Sequence, residues 1–64
     1  MNEPTTYTYL LKIKIDGGAA FQKTRVMSIR ARGYEYAVDE AFEKLYNEFS
    51  GVVAFFNVVD WKRI

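Results

Sequence analysis

The chain has 64 residues, half of them hydrophobic and 17% aromatic, and its nine lysines and arginines oppose eight aspartates and glutamates for a formal net charge of +1. That length excludes a second domain and lets folding bury only about 60% of the unfolded surface. The apolar content and near-balanced charge exclude a disordered profile. With neither cysteine nor histidine present, disulfides and Cys/His zinc sites are excluded, so stability is expected from packing, aided by self-association.

Residues 1–6, Met1-Asn2-Glu3-Pro4-Thr5-Thr6, form a polar stretch that reads as a tail, and residues 7–64 read as a single domain. A start without an apolar leader, in a chain without cysteine, points to a cytoplasmic protein. The longest apolar run, Val52 to Phe56, is far short of the roughly 18 residues of a membrane span.

From Tyr7 the pattern has period two: Tyr7, Tyr9, Leu11, Ile13 and Ile15 share one face, and Thr8, Leu10, Lys12 and Lys14 the other. This predicts a half-buried strand that ends at Asp16-Gly17-Gly18, a reversing turn in which glycine supplies positive φ. A second strand follows from about Phe21 to Ala31, expected to turn Met27, Ile29 and Ala31 inward, with Lys23 and Arg25 near the turn where they reach water. A bulge that changes its phase is an alternative.

After Gly33, apolar residues recur at Tyr34, Ala37, Val38, Ala41, Phe42, Leu45, Tyr46 and Phe49, the stripe of an amphipathic helix over 34–49. Glu35 and Asp39 suit the positive end of its dipole, and Ser50-Gly51 supplies a stop. The central positions Leu11, Ile13, Ala41, Phe42 and Leu45 are the expected core.

The last run, Val52 to Trp61, is a strand by composition. Its faces compete: Ala54, Phe56 and Val58 against Phe55, Asn57, Val59 and Trp61. Burying Asn57 without a partner costs on the order of 1–3 kcal/mol, which turns the first set inward and leaves Phe55 and Trp61 outside. A hairpin, a helix and a returning strand give an α+β fold of β-β-α-β order. The expected sheet is three-stranded and antiparallel, in order 2-1-3, with the helix on one face.

Without histidine or cysteine the usual general base, metal ligand and thiol nucleophile are missing. The carboxylates Glu35, Asp39, Glu40, Glu43 and Glu48 fall mainly on the outer side of the helix, where water keeps them ordinary. The expectation is a protein that is not an enzyme, with no catalytic residue, metal or cofactor. Gly17-Gly18 joins two strands and lacks the ending of a phosphate loop. Tyr7, Tyr9, Tyr34 and Tyr46 fall on expected core faces, and Tyr36 does not.

Charge is segregated along the chain. Residues 12–32 carry six basic side chains against Asp16, a balance of +5, and residues 34–49 carry five acidic ones against Lys44, a balance of −4. In the expected fold Lys12, Lys14, Arg30 and Arg63 lie on the uncovered side of the sheet with Leu10, Val26, Phe55, Val59 and Trp61, and Arg32 follows at the end of the second strand. Lys12, Lys14, Arg30, Arg32, Phe55, Trp61 and Arg63 are therefore the candidate binding residues, because tryptophan and arginine dominate binding hot spots. The alternative turns Trp61 and Phe55 toward the helix and leaves the basic residues to keep an open sheet soluble.

The hairpin, the sequence Ala31-Arg32-Gly33-Tyr34-Glu35-Tyr36-Ala37-Val38-Asp39-Glu40-Ala41 entering the helix, and Phe56-Asn57-Val58 with Lys62-Arg63 in the closing strand together resemble small phage-encoded proteins that inhibit host enzymes, such as the RNA-polymerase inhibitors of T7-like phages. The resemblance covers residues 7 to 63. It implies a viral inhibitor in the host cytoplasm and a protein partner with an acidic surface, bound through basic residues of the sheet. Two other functions fit the residues: a single-stranded nucleic-acid binder that stacks bases on Trp61 and Phe55, against which the mild net charge argues, and a self-assembling subunit whose open sheet face pairs with its own copy.

Overall fold

The computed structural model describes residues 5–64; positions 1–4 of the expected tail lie outside the described residues, and Thr5 and Thr6 are exposed ahead of the first strand. Strand β1 (Tyr7–Asp16) and strand β2 (Gln22–Ala31) form a hairpin, helix α1 (Tyr34–Glu48) follows, and strand β3 (Phe55–Arg63) closes the domain. The sheet is antiparallel with order β2-β1-β3, which puts the regularly alternating β1 in the centre.

The hairpin turns where the sequence predicts. The Gly17 N–H donates to the Phe21 carbonyl at 2.9 Å, and the Gly18 N–H donates to the Asp16 carboxylate at 2.8 Å. Gly18 takes the positive φ of 69° that a residue with a side chain resists. The register from Tyr7↔Ala31 to Asp16↔Gln22 is unbroken, so β2 contains no bulge and Met27, Ile29 and Ala31 face inward as expected. Lys23 and Arg25 lie near the turn and reach water as expected, and both also contact the end of the helix. Arg25 pairs with Glu48, and the Lys23 ammonium lies 5.8 Å from the Phe21 ring and 5.9 Å from the Phe49 ring.

Tyr9, Leu11, Ile13, Ile15, Ile29, Ala37, Ala41 and Leu45 are the buried core. Phe42, also expected there, is partly buried against it. The helix runs closer to β2 and β1 than to β3, and the connections account for this. Two residues, Arg32 and Gly33, tether it to β2, whereas residues 49–54 give β3 a longer lead. Aromatic rings bridge the gap to β3. At the end of the helix Phe42, Tyr46 and Phe49 surround Phe56 with ring centroids 5.8, 4.9 and 6.2 Å away, and Phe49 stacks on Phe21. Tyr46 meets Phe56 in a T-shaped contact yet is mostly exposed, a correction to its expected core placement.

Candidate functional site

Strand β3 keeps its expected phase through Val58 and then changes it. Ile13 pairs with Val58 and Lys12 pairs with Asp60, so Val59 is an extra residue, a β-bulge, opposite β1. Beyond it the pairs are Leu11↔Trp61, Leu10↔Lys62 and Tyr9↔Arg63. Since directly opposed residues share a face, Trp61 and Arg63 fall on the helix side with Leu11 and Tyr9, and Asp60 and Lys62 take the uncovered side.

The expected placement of Trp61 and Arg63 is therefore corrected, and the bulge is the reason. The Trp61 ring lies 4.4 Å from Tyr34 and 6.0 Å from Tyr9 between centroids, bridging the start of the helix to the sheet, although 47% of the residue stays exposed. The Arg63 guanidinium sits 4.4 Å from the Tyr7 ring centroid. Arg32 packs 4.8 Å from the Tyr36 ring centroid at the entry to the helix. Each such cation–π contact is worth about 0.5–1 kcal/mol at an exposed site.

Four expected residues remain together on the uncovered side: Lys12, Lys14, Arg30 and Phe55. The register sets them in rows across the sheet. Thr24, Lys14 and Asn57 form one row, Val26, Lys12 and Asp60 the next, then Ser28, Leu10 and Lys62. Arg30 and Thr8 lie at one end, Asp16 and Phe55 at the other. Counting Lys62, four cations share this side with two carboxylates, Asp16 and Asp60, each already accepting a main-chain N–H. Phe55 and Val26 are 74% and 63% exposed. Leu10, Lys12, Val26, Asp60, Trp61 and Lys62 line a shallow depression of about 320 Å³.

Sequence reasoning missed Lys62 and Asp60. The signal was the apolar spacing 56, 58, 61, which breaks period two and places a tryptophan where a continued alternation has a charged residue.

Arg25 and Glu48 lie outside this surface. Their hydrogen bond holds the Glu48 carboxyl below the ordinary carboxylate range, against the opposing effect of desolvation. Among the described residues no three His, Cys, Asp or Glu side chains are grouped to hold a metal ion, and no helix is long and apolar enough to cross a membrane.

Fold and surface together define a small α+β domain with one open, basic sheet face. No protein-family model, characterised protein or solved structure matches the chain.

Proposed function

We propose that the protein is a non-enzymatic binding module that recognises an acidic surface of a protein partner through its uncovered sheet face. The observation that carries this reading is the segregation of charge. Lys12, Lys14, Arg30 and Lys62 share one side of the sheet with exposed Phe55 and Val26, whereas Glu35, Asp39, Glu40 and Glu43 belong to the helix on the other. Opposed charge steers encounter and fixes orientation, and exposed apolar groups supply the area to bury.

Inhibition of a host enzyme by a phage-encoded protein in the host cytoplasm is the particular role that the resemblance in element order favours. A single-stranded nucleic-acid binder is the lesser reading. With Trp61 on the helix side, Phe55 is left as the aromatic platform on the basic face, whereas such sites stack successive bases on several rings.

The test compares wild type with the double variant Lys12→Glu, Lys14→Glu and with Phe55→Ala, each immobilised and exposed to cell lysate. A protein ligand retained by wild type, weakened by added salt and lost from both variants supports the reading. Retention of oligonucleotides at physiological salt, with affinity falling steeply as salt rises, selects the nucleic-acid function instead.

A further inference from the structure

We infer that the open edge of β2 docks an acidic, extended segment of the partner protein as a fourth strand. This rests on the protein-binding reading and adds to it the mode of attachment.

The phase of the ladder is set at both sides of β1. The Gly17 N–H bonded to Phe21 makes the odd-numbered residues of the hairpin the hydrogen-bonded pairs, and the Ile64 N–H, donating to Thr8 at 2.8 Å, directs the even-numbered residues of β1 to β3. The N–H and C=O groups of Gln22, Thr24, Val26, Ser28 and Arg30 therefore point away from β1. No strand lies beyond β2, and among the described residues no side chain or loop takes up these groups.

The other edge is interrupted. Strand β3 carries the Val59 bulge, and the outward N–H of Trp61 is taken by the Asp60 carboxylate at 2.9 Å. Bulges, prolines and edge charges are the devices by which sheets block strand addition. Strand β2 has neither bulge nor proline over ten residues in unbroken register, and its charges are all positive, so they oppose a basic strand and admit an acidic one.

Charge selects the occupant. Strand β2 contains Lys23, Arg25 and Arg30 and no carboxylate. A second copy docked edge to edge would add three more cations and no carboxylate to pair with them, which is unfavourable. An acidic strand meets Lys23 near one end of β2 and Arg30 near the other, Arg25 being paired with Glu48. At the middle, exposed Val26 and half-buried Met27 call for an apolar residue. The fitting segment is extended, with carboxylates toward its ends and an apolar centre, and is held by main-chain hydrogen bonds.

The probe is a capped octapeptide with two glutamates at each end and four valines between them, titrated into the isotopically labelled full chain and followed by NMR amide exchange. Its control is the same peptide with every backbone nitrogen methylated, equal in charge but without the N–H groups needed to extend a sheet. Saturable binding, at least tenfold slower exchange of the Thr24, Val26 and Ser28 amides, and at least tenfold weaker binding of the methylated control are expected. Val26→Pro removes an outward N–H that β1 does not use and is expected to weaken binding by a similar factor; if that variant fails to fold, the methylated peptide alone decides.

Equal binding of the two peptides, no slowing at the β2 amides, or no binding at millimolar peptide overturns the inference. Equal binding accompanied by shifts confined to Lys12, Lys14 and Phe55 refutes edge docking while leaving the basic-face reading standing. Binding of an oligothymidylate with neither peptide bound removes both.

Discussion

Trp61 bridges Tyr34 of the helix and Tyr9 of the central strand, so its truncation removes contacts on both sides of the core at once. Full burial of such a side chain is worth about 3–5 kcal/mol in a truncation, and its partial exposure lowers the expected loss for Trp61→Ala to about 1–3 kcal/mol. Urea denaturation measures it; an unchanged midpoint would place the ring in solvent. Glu48 offers a test of a different kind. A carboxyl whose folded-state pKa is depressed stabilises the fold above its unfolded pKa of about 4.3 and loses that contribution as pH falls through the lower folded value. Thermal melts of wild type and Glu48→Gln are therefore expected to differ slightly at pH 6 and to converge below pH 4, and 1 M salt is expected to shrink the difference, because the pair with Arg25 is exposed.

Among the elements, β3 departs most from its expected form, and the departure is one residue long. Val58 and Asp60 pair with adjacent residues of β1, so deleting Val59 leaves both pairings intact and converts the strand to a regular one. The deletion variant is expected to fold with Trp61 still against Tyr34 and an unchanged fluorescence maximum; a red shift would mean that the ring had moved to the open side. Strand β1 was legible from its alternation and the Asp-Gly-Gly turn, whereas β2 was legible as a strand but its phase left a bulge open until the unbroken register excluded it. The helix was legible from its apolar stripe, and its observed end at Glu48 lies one residue before the expected one. The phase of β3 was not legible to a rule of strict alternation, since Val58-Val59-Asp60 contains no glycine to mark a bulge and both faces are apolar enough to bury. The candidate surface followed the same division, four of its seven residues keeping the expected side. Lys12, Lys14 and Arg30 stand on the two regular strands and Phe55 lies ahead of the bulge, whereas Trp61 and Arg63 come after it and changed sides. Arg32 was readable as a cation but not as the partner of the Tyr36 ring.

At the scale of the whole molecule, the sheet separates a basic open face from an acidic helix, and the two aromatic clusters sit at opposite ends of that helix, leaving the alternation of β1 to fill the space between them. This arrangement explains how a chain with no disulfide or histidine-bound metal holds three strands together: rings from the helix reach the strand that the helix itself does not cover. The tight connection of β2 to the helix, set against the long lead to β3, also orders events in time. The hairpin closes a loop of a few residues, and the helix lies two residues further on, whereas pairing β3 with β1 closes a loop of about forty residues, which costs more chain entropy. The hairpin and helix are therefore expected to form the folding nucleus, with β3 docking after the barrier. In stopped-flow chevrons Ile29→Val is expected to act mainly by slowing folding, with a φ-value above 0.5, and Val58→Ala mainly by speeding unfolding, with a φ-value below 0.3. The strand that carries Trp61 thus sets how long the native molecule lasts, and the hairpin sets how quickly it appears.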